Sequence, residues 1–390
     1  MPHSSLIYLD CHATTPVDPR VLEAMLPWFT ERFGNAASIN HAYGREAAEA
    51  VEAARQEVAD LLNVSPRGIV FTSGATEANN LALKGVLAAS RSAHRLVTNA
   101  GEHKAVLDPA ARLKRRGCDV AVVPIAGDGR VDPQQVADAM TDETVLVSVM
   151  AANNEVGAIN VVAEIGRFCR QRGVLFHCDA AQAVGKIPFD LGELPIDLVS
   201  LSGHKLYAPK GVGVLWVRPG EPRIRLEPLF DGGGHESRLR SGTLPVPLIV
   251  GLGAACRLAR EERAVEAQRL VALRERLWSG LQSQLEGLTL NGPPVERLPG
   301  NLHVSFAGVD GDALLSGLTE VAVSSGSACT SADPEPSHVL QAMGVSEVLS
   351  RASLRFGLGR FTTADEIDRA IAHVVEVVTR LRDFRRRGEK

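Results

Sequence analysis

The sequence holds 390 residues, of which 45% are hydrophobic and 23% are charged, and its formal net charge is −4. This length predicts two domains, or one large layered domain with a smaller companion. The modest charge gives no reason to expect nucleic acid or an anionic membrane as a partner. No apolar run reaches the roughly 18 residues that cross a bilayer, and the first residues lack the pattern of a secretory signal. We therefore expect a cytoplasmic globular protein.

Six cysteines are scattered along the chain without a CxxC pair. Such spacing is not typical of a disulfide framework or of a structural zinc site. We expect free thiols in a reducing compartment and no metal centre.

The first strong periodic pattern predicts an amphipathic helix over Glu46–Leu62, because alanine, valine and leucine recur there at helical spacing. Between residues 66 and 217, short β-rich runs then alternate with helical patterns, which predicts a doubly wound α/β domain. The predicted strands are Gly68–Thr72, Leu96–Asn99, Asp119–Val123, Thr144–Met150, Val174–Asp179, Asp197–Ser202 and Gly213–Val217. The predicted helices between them are Glu77–Ala89, Ala105–Arg116, Pro133–Met140 and Val162–Gln171.

The pattern changes after this region. A long helical stretch at Leu248–Leu285 leads through a turn-rich segment to strand-like runs at Leu302–Phe306 and Ala352–Phe356. A last amphipathic helix is predicted over Asp365–Phe384. We expect a large domain over residues 15–255 and a smaller α+β domain made of residues 1–14 and 256–390.

Polar motifs stand at the predicted strand ends, where an open parallel sheet binds its ligands. In FTSGATE (residues 71–77) a strand runs into a helix start, whose free N–H groups suit a phosphate. The same fragment is typical of plain helix capping by Ser73 or Thr76. In HCDAAQ (residues 177–182), Asp179 leaves a buried strand and needs a positive partner such as a protonated pyridine nitrogen. A helix cap explains Asp179 equally well, and His177 and Cys178 are interpreted as packing residues.

Two further motifs carry nucleophiles. Lys205, in SLSGHK, follows a strand, and an amine in that setting is suited to a Schiff base with an aldehyde. A surface lysine is the common alternative, and the nearby Lys210 fits it better. Cys329 stands in VSSGSACTS, a small and polar run that favours an exposed, reactive thiol over a buried one.

The last motif is an arginine in an apolar run. Arg355, in SLRF, suits a carboxylate ligand, although a structural salt bridge would use the same residue. His103 and Asn154 each follow a predicted strand and are candidates for contact with a ligand at the same sheet edge.

Together these segments resemble the cysteine desulfurases, the class V branch of the aminotransferase superfamily of fold-type I. The similarity runs from Tyr8-Leu9-Asp10 nearly to the C-terminus. Its marks, in chain order, are FGNAAS, FTSGATEANN, EHKAVLD, NNEVG, FHCDAAQAVGK, SGHKLYAPKGVG, GGGHESRLRSGT, SSGSACTS and the arginine strand ending in GRFTT. The resemblance implies a pyridoxal 5'-phosphate (PLP) enzyme whose large domain has a mostly parallel seven-stranded sheet flanked by helices.

The resemblance assigns a role to each matching position. It implies that Lys205 carries PLP as a Schiff base, that Asp179 pairs with the ring nitrogen, and that Cys329 takes sulfur from L-cysteine as a persulfide. It also implies that His103 stacks on the ring as an acid–base group and that Gln182 bonds the ring oxygen.

The remaining implied roles concern the cofactor phosphate and the substrate. The phosphate is implied to be held by Ala75, Thr76, Ser202 and His204. Thr243 is implied to reach the phosphate from a second subunit of a homodimer. Asn154 is implied to contact the cofactor and, with Arg355, to position the substrate.

The SSGSACTS segment resembles the branch typified by NifS and IscS. Within that branch, RSGTLPV resembles the housekeeping members that feed iron–sulfur scaffolds. The short end of this chain, Arg387-Gly388-Glu389-Lys390, makes the usual scaffold docking uncertain. Two alternatives stay open: another PLP-dependent aminotransferase or β-lyase of the same fold, and a non-catalytic sulfur-relay subunit. The loop thiol argues against the first, and the lysine and aspartate argue against the second.

Overall fold

The computed structural model describes residues 6–90, 94–325 and 336–388. Its strands, in chain order, are β1 (Ile7–Tyr8), β2 (Ile69–Thr72), β3 (Arg95–Asn99), β4 (Asp119–Val123), β5 (Thr144–Ser148), β6 (Leu175–Asp179), β7 (Leu198–Ser202), β8 (Gly213–Val217), β9 (Leu288–Leu290), β10 (Asn301–Phe306), β11 (Val321–Ala322) and β12 (Ser353–Gly357). Its helices are α1 (Pro19–Met25), α2 (Pro27–Thr30), α3 (Ala42–Leu62), α4 (Ala75–Ala89), α5 (Lys104–Arg115), α6 (Pro133–Ala139), α7 (Val162–Arg172), α8 (Val246–Gln282), α9 (Gly311–Gly317), α10 (His338–Ala342), α11 (Glu347–Arg351) and α12 (Ala364–Gly388). Short 3-10 turns follow β7 at Gly203–Lys205 and precede α8 at Glu236–Arg238.

The central sheet has seven strands in the order β2-β8-β7-β6-β5-β3-β4. β8 pairs antiparallel with both of its neighbours, and the other pairs are parallel. Strands such as β2 and β7 are buried along their whole length, as expected for a sheet covered by helices on both faces. The predicted seven strands are confirmed: two match the predicted bounds, and the other five differ at one end by one or two residues.

A second, smaller sheet lies in the C-terminal part of the chain. Its three strands are antiparallel in the order β12-β10-β9, and α12 packs with the second half of α8 around it. The N-terminal strand β1 pairs in parallel with β11, so Ile7 and Leu9 belong to this second core. The sequence pattern did not predict β1, β9 or β11, because two- and three-residue strands are too short to show a period.

One helix joins the two cores. α8 is 37 residues long, and its first half contributes Ile249 and Leu252 to the core under the large sheet. Its second half contributes Leu273 and Leu277 to the smaller core. The predicted domain boundary between residues 255 and 256 therefore falls inside a continuous helix, and the division into domains stays a prediction.

The fold brings the carboxyl ends of β2, β3, β5, β6 and β7 to one edge of the central sheet, because these strands are mutually parallel. Ligands of open α/β sheets bind at this edge. Within the described residues, no helix combines the length and the apolarity that a bilayer crossing demands.

Candidate active site

The turn after β7 places Lys205 at the carboxyl edge of the sheet. Its Nζ donates hydrogen bonds to the backbone oxygens of His12, at 2.5 Å, and Ala13, at 2.7 Å. The N-terminal segment thus packs directly against this amine. Lys210, in contrast, is exposed, as expected from the sequence.

Tyr207 holds this turn in a strained conformation. Its φ of 62° lies in the left-handed region, which is costly for a bulky residue. The Tyr207 N–H donates to the Thr15 hydroxyl oxygen at 2.9 Å, and the Arg360 guanidinium lies 4.4 Å from the Tyr207 ring centroid. Because contacts on several sides hold Tyr207, the backbone two residues earlier at Lys205 is fixed as well.

Asp179 ends β6 with its side chain buried. One carboxylate oxygen accepts from the Asn79 amide at 2.7 Å, and the other accepts from the backbone N–H of Ala181 at 3.0 Å. Within the described part of the chain, no lysine, arginine or histidine forms an ion pair with it. A buried carboxylate bonded only by neutral donors is suited to a cationic ligand group.

A close contact of two glycines shapes the start of α4. A Cβ atom added to Gly213 on β8 would lie 2.6 Å from the Cα atom of Gly74. The Gly74 backbone therefore sits against β8, just before the free N–H groups of Ala75 and Thr76. Ser202 borders the same place, since its hydroxyl lies 3.7 Å from a Cβ built on Gly74. This backbone cradle, with a hydroxyl beside it, fits a phosphate group.

His204 stands on the other side of the N-terminal segment. Its Nδ1 lies 3.1 Å from the Thr14 hydroxyl. Burial, together with the charges of Lys205 and Lys210, lowers the pKa of His204 to about 4. The ring is therefore neutral at physiological pH and is suited to a hydrogen bond rather than an ion pair.

His103 and its neighbour Glu102 follow β3. The His103 Nδ1 accepts from the Ala105 N–H at 3.0 Å, so this ring caps α5. Glu102 is fully buried, and burial, followed by the charge of Asp179, raises its pKa well above its ordinary value. One Glu102 oxygen accepts from Asn99 at 2.8 Å and from the Met150 N–H at 2.5 Å. The sequence analysis missed Glu102, although its place beside His103 was a usable signal.

Arg355 lies within β12, in the smaller sheet, and not after a strand of the large sheet. It is 2% exposed and pairs with Asp10 at 2.8 Å, while its other terminal nitrogen donates to the backbone oxygen of Asn154 at 3.1 Å. Its Nε has no partner among the described residues. The salt-bridge interpretation is therefore observed, and the contact with a ligand carboxylate stays a prediction for which the Nε donor is available.

Gln182, also buried, belongs to a polar cluster that the sequence analysis did not find. Its amide oxygen accepts from Lys186 Nζ at 2.6 Å and lies 3.2 Å from the His12 ring Nδ1. Its amide nitrogen donates to the backbone oxygen of His12 at 2.9 Å. Lys186 ends the quoted motif FHCDAAQAVGK, but no role was predicted for it, and His12 lies outside the quoted motifs.

Two predicted site residues are not brought to this edge by the described structure. Thr243 is exposed in the stretch between the Glu236–Arg238 turn and α8, and no hydrogen bond in the described part of the chain joins it to Lys205 or Ser202. Cys329 lies outside the described residues. The five cysteines within them, Cys11, Cys118, Cys169, Cys178 and Cys256, are free.

These features fit PLP. A reachable amine, a buried carboxylate without a cationic partner and a phosphate cradle stand at one sheet edge, which is the donor set that this cofactor needs. Fold and site therefore define a PLP-dependent enzyme of fold-type I.

The comparisons with known proteins agree. The family model described as aminotransferase class-V matches residues 7–370. A cysteine desulfurase IscS of Anaeromyxobacter sp. (strain Fw109-5) is 58% identical over 380 residues, covering 97% of this chain and 94% of the relative. A cysteine desulfurase of Homo sapiens is 50% identical over 379 residues, covering 97% of this chain and 83% of the relative.

Solved structures give the same result. A NifS-like protein superposes with a TM-score of 0.90 at 38% identity, covering 96% of this chain and all of the other. A structure described as SspA in complex with cysteine has a TM-score of 0.81 at 35% identity, covering 92% of this chain and 100% of that one. The chain belongs to the aminotransferase class-V family, in its PLP-dependent cysteine desulfurase branch.

Proposed function

We propose that the chain converts L-cysteine to L-alanine and holds the released sulfur as a persulfide on Cys329. The observation that carries this proposal is the juxtaposition of Lys205 and Asp179. Asp179 pairs in register with Ser200 of the adjacent strand β7, and Lys205 follows in the turn at the end of that strand. Amine and carboxylate thus stand on neighbouring strands, at the edge where the cofactor binds.

The bound cofactor supplies an electron sink that stabilises negative charge at the substrate α-carbon. Asp179 would keep a proton on the cofactor's ring nitrogen, because its buried carboxylate accepts from neutral donors among the described residues. Lys205 would hold the cofactor, and its amine would move the substrate α-proton. His103 would lie against the cofactor and exchange protons with the substrate.

The remaining contacts orient the cofactor. Gln182 donates to its ring oxygen, and the phosphate is held by Ala75, Thr76, Ser202 and His204. The exposed side chain of Thr243 is the contribution of a second copy of the chain in a homodimer. This proposal is supported by the absence, within the described residues, of a bond between Thr243 and its own sheet edge.

Arg355 and Asn154 position the substrate. The Arg355 guanidinium is buried and already shares one nitrogen with Asp10 and one with the Asn154 backbone. Its Nε is the donor left for the cysteine carboxylate, which is drawn to a buried, charged donor. Asn154 contacts the cofactor from the same side.

Cys329 is the sulfur acceptor. Its thiolate attacks the substrate sulfur, and a sulfur–sulfur bond forms while the carbon–sulfur bond breaks. The electron pair of the broken bond stays with the carbon skeleton, which takes up protons and leaves as alanine.

The length of chain between Ser324 and Cys329 supports this proposal. Ser324 is anchored there, because its hydroxyl donates to Asp10 at 2.8 Å and its backbone oxygen accepts from the Arg355 N–H at 2.7 Å. Cys329 follows five residues later, a length of chain that spans at most about 18 Å.

The persulfide on Cys329 implies a partner that accepts its sulfur. A persulfide needs an acceptor, and we propose an iron–sulfur scaffold protein or another sulfur acceptor in the cytoplasm. The two-domain division at residues 255 and 256, with residues 1–14 in the smaller domain, is retained as a proposal. It is supported by the separate core of the smaller sheet, to which Ile7 and Leu9 also belong.

The test compares the wild-type chain with Lys205→Ala, purified with added cofactor. We expect the wild type to show the visible absorbance of a lysine-bound cofactor and to form alanine from cysteine. The variant should lose the band and form no detectable alanine, while Lys210→Ala, at an exposed position of the following loop, should retain both. A wild-type chain without the band would favour a sulfur-relay subunit, and amino transfer to a keto acid would favour an aminotransferase.

A further inference from the structure

The oxygen and the nitrogen of the Gln182 carboxamide both form hydrogen bonds. Its oxygen accepts from Lys186 Nζ at 2.6 Å, and its nitrogen donates to the backbone oxygen of His12 at 2.9 Å. The same His12 oxygen accepts from Lys205 Nζ at 2.5 Å. A chain of three hydrogen bonds therefore joins the two lysine amines through Gln182 and His12.

These partners determine which way the amide faces. A lysine amine that bonds at this distance donates, and a backbone oxygen can only accept, so the assignment of the Gln182 oxygen and nitrogen is unambiguous. The His12 Nδ1, at 3.2 Å from the Gln182 oxygen, then carries the ring proton. Burial, followed by the charge of Lys186, lowers the pKa of His12 well below its ordinary value, so the ring stays neutral. Both contacts to the Gln182 oxygen are donors. One N–H of the amide donates to the His12 oxygen, which leaves the second N–H for an acceptor in the site.

Lys186 is partly buried beside the site. With Lys205, Cys11 and His12, it lines a partly open pocket whose space of about 30 Å³ is enough for one or two water molecules. Tyr207, Arg263, Glu266 and Arg360 border this pocket from α8 and from the segments beside it. Burial and the charge of Lys205 lower the pKa of Lys186 to about 7, with Arg355 acting in the same direction and Cys11 and Glu266 against it.

We propose that Lys186 is a positioning residue of the active site: it fixes the Gln182 amide with its NH₂ toward the cofactor's ring oxygen, and it places a second amine beside Lys205. Donation to the ring oxygen makes that oxygen less basic. A neighbouring cation disfavours a proton on the nitrogen of Lys205, which is how paired lysines activate one another. Both effects keep the Lys205 nitrogen less basic than it would otherwise be. This inference rests on the role proposed above for Gln182.

The test is Lys186→Met, which keeps the length and apolar body of the side chain and removes its hydrogen bond and charge. We expect the pH midpoint of the visible absorbance change of the bound cofactor to rise by about one unit. We also expect cofactor affinity to fall several-fold and kcat to fall more than KM rises. Lys186→Gln, which keeps a donor without the charge, should restore part of the affinity and leave the midpoint between those of the wild type and Lys186→Met.

The matched control is Lys114→Met, at an exposed position of α5. The absorbance of the cofactor bound to this variant should change at the same pH midpoint as in the wild type. Thermal unfolding of each variant without cofactor shows whether the fold is retained, and the midpoint is compared among folded variants. An unchanged midpoint in Lys186→Met, with a normal band in the wild type, would overturn this inference and leave the proposed function standing. A wild type without any band would overturn the proposed function, and this inference with it.

Discussion

His177 lies on β6, two residues before Asp179, between two serine hydroxyls. Its Nδ1 lies 2.8 Å from the Ser148 hydroxyl, and its Nε2 lies 2.9 Å from the Ser200 hydroxyl. Burial lowers the pKa of His177 to about 3. His303 on β10 is also fully buried, and burial, with the charges of Arg355 and Arg297, lowers its pKa to about 3. Both rings are neutral in the folded protein, and each takes up a proton only when the protein unfolds.

This difference predicts an acid-dependent stability. An unfolded histidine titrates near 6.5, so between about pH 6.5 and 3 the unfolded chain binds protons that the folded chain excludes. The free energy of unfolding should therefore fall with falling pH, by about 1.4 kcal/mol per pH unit for each such histidine. Denaturant unfolding of the holoenzyme at several pH values measures this slope.

His177→Asn is the matched variant for that slope. It removes one titrating ring, so the pH dependence should be shallower by about one proton, even though the variant is less stable at neutral pH. His94→Asn, at an exposed position before β3, should leave the slope as it is. The same slope in the His177 variant as in the wild type would contradict the buried, neutral ring.

Some residues of the candidate site could be predicted from the sequence, and others could not. Asp179 was identifiable because it ends a buried strand, where a charge needs a partner, and Lys205 because it follows directly after one. His12 was not identifiable, because its contacts with Gln182 and Lys205 join segments far apart in the chain. Lys186 and Glu102 stand in quoted motifs, but no local pattern indicated that their side chains are buried against the site. Asp10 was quoted only as part of the similar N-terminal segment, and its pairing with Arg355 depends on β1 packing against the smaller sheet.

At the level of strands and helices, the carboxyl ends of the strands determine where the candidate site residues lie. The alternation of apolar runs and helical patterns was enough to predict every strand of the large sheet, because strands buried between helices are mostly apolar. It did not predict strand order, the antiparallel direction of β8 or the short strands β1, β9 and β11. These depend on pairings between distant segments, which no local period encodes.

The contact between β8 and the start of α4 allows a prediction at this scale. In Gly213→Ala, the added Cβ would lie 2.6 Å from the Gly74 Cα and 2.6 Å from the Leu201 oxygen, so the helix start must move away from the strand. We expect cofactor affinity to fall by at least about tenfold and stability to fall by about 1–3 kcal/mol. Cofactor titration followed by absorbance measures the first effect, and denaturant unfolding measures the second.

The control for Gly213→Ala is Gly127→Ala. A Cβ there would lie 3.8 Å from its nearest neighbour, the Met343 oxygen, so it should change neither quantity. If Gly213→Ala bound the cofactor as tightly as the wild type, the cradle at Gly74 would not be the phosphate site.

At the scale of the whole molecule, two hydrophobic cores share α8 and the N-terminal segment. Residues 11–15 bring the backbone oxygens of His12 and Ala13 to Lys205, and Asp10 carries the ion pair with Arg355. The site therefore depends on both cores, and movement of one against the other would change what surrounds the amine. The change of pattern near residue 256 predicted two units but could not show that one helix runs through both.

The proposed homodimer predicts a complementation result. If Thr243 serves the partner's site, a mixed dimer of one Lys205→Ala chain and one Thr243→Ala chain has one site with both native residues. We expect such mixtures to recover alanine formation above that of either variant alone, measured at limiting cofactor. If Thr243 served its own chain, both sites of the mixed dimer would be defective and no recovery would occur.

The transfer of sulfur from cysteine to a single residue of this chain can be measured directly. Intact-mass analysis of the holoenzyme after brief exposure to L-cysteine is followed by peptide mapping under non-reducing conditions. We expect a gain of one sulfur atom on the peptide that carries Cys329, and no gain in Cys329→Ser. Sulfur found on another cysteine, or alanine formed at the wild-type rate by Cys329→Ser, would contradict this expectation.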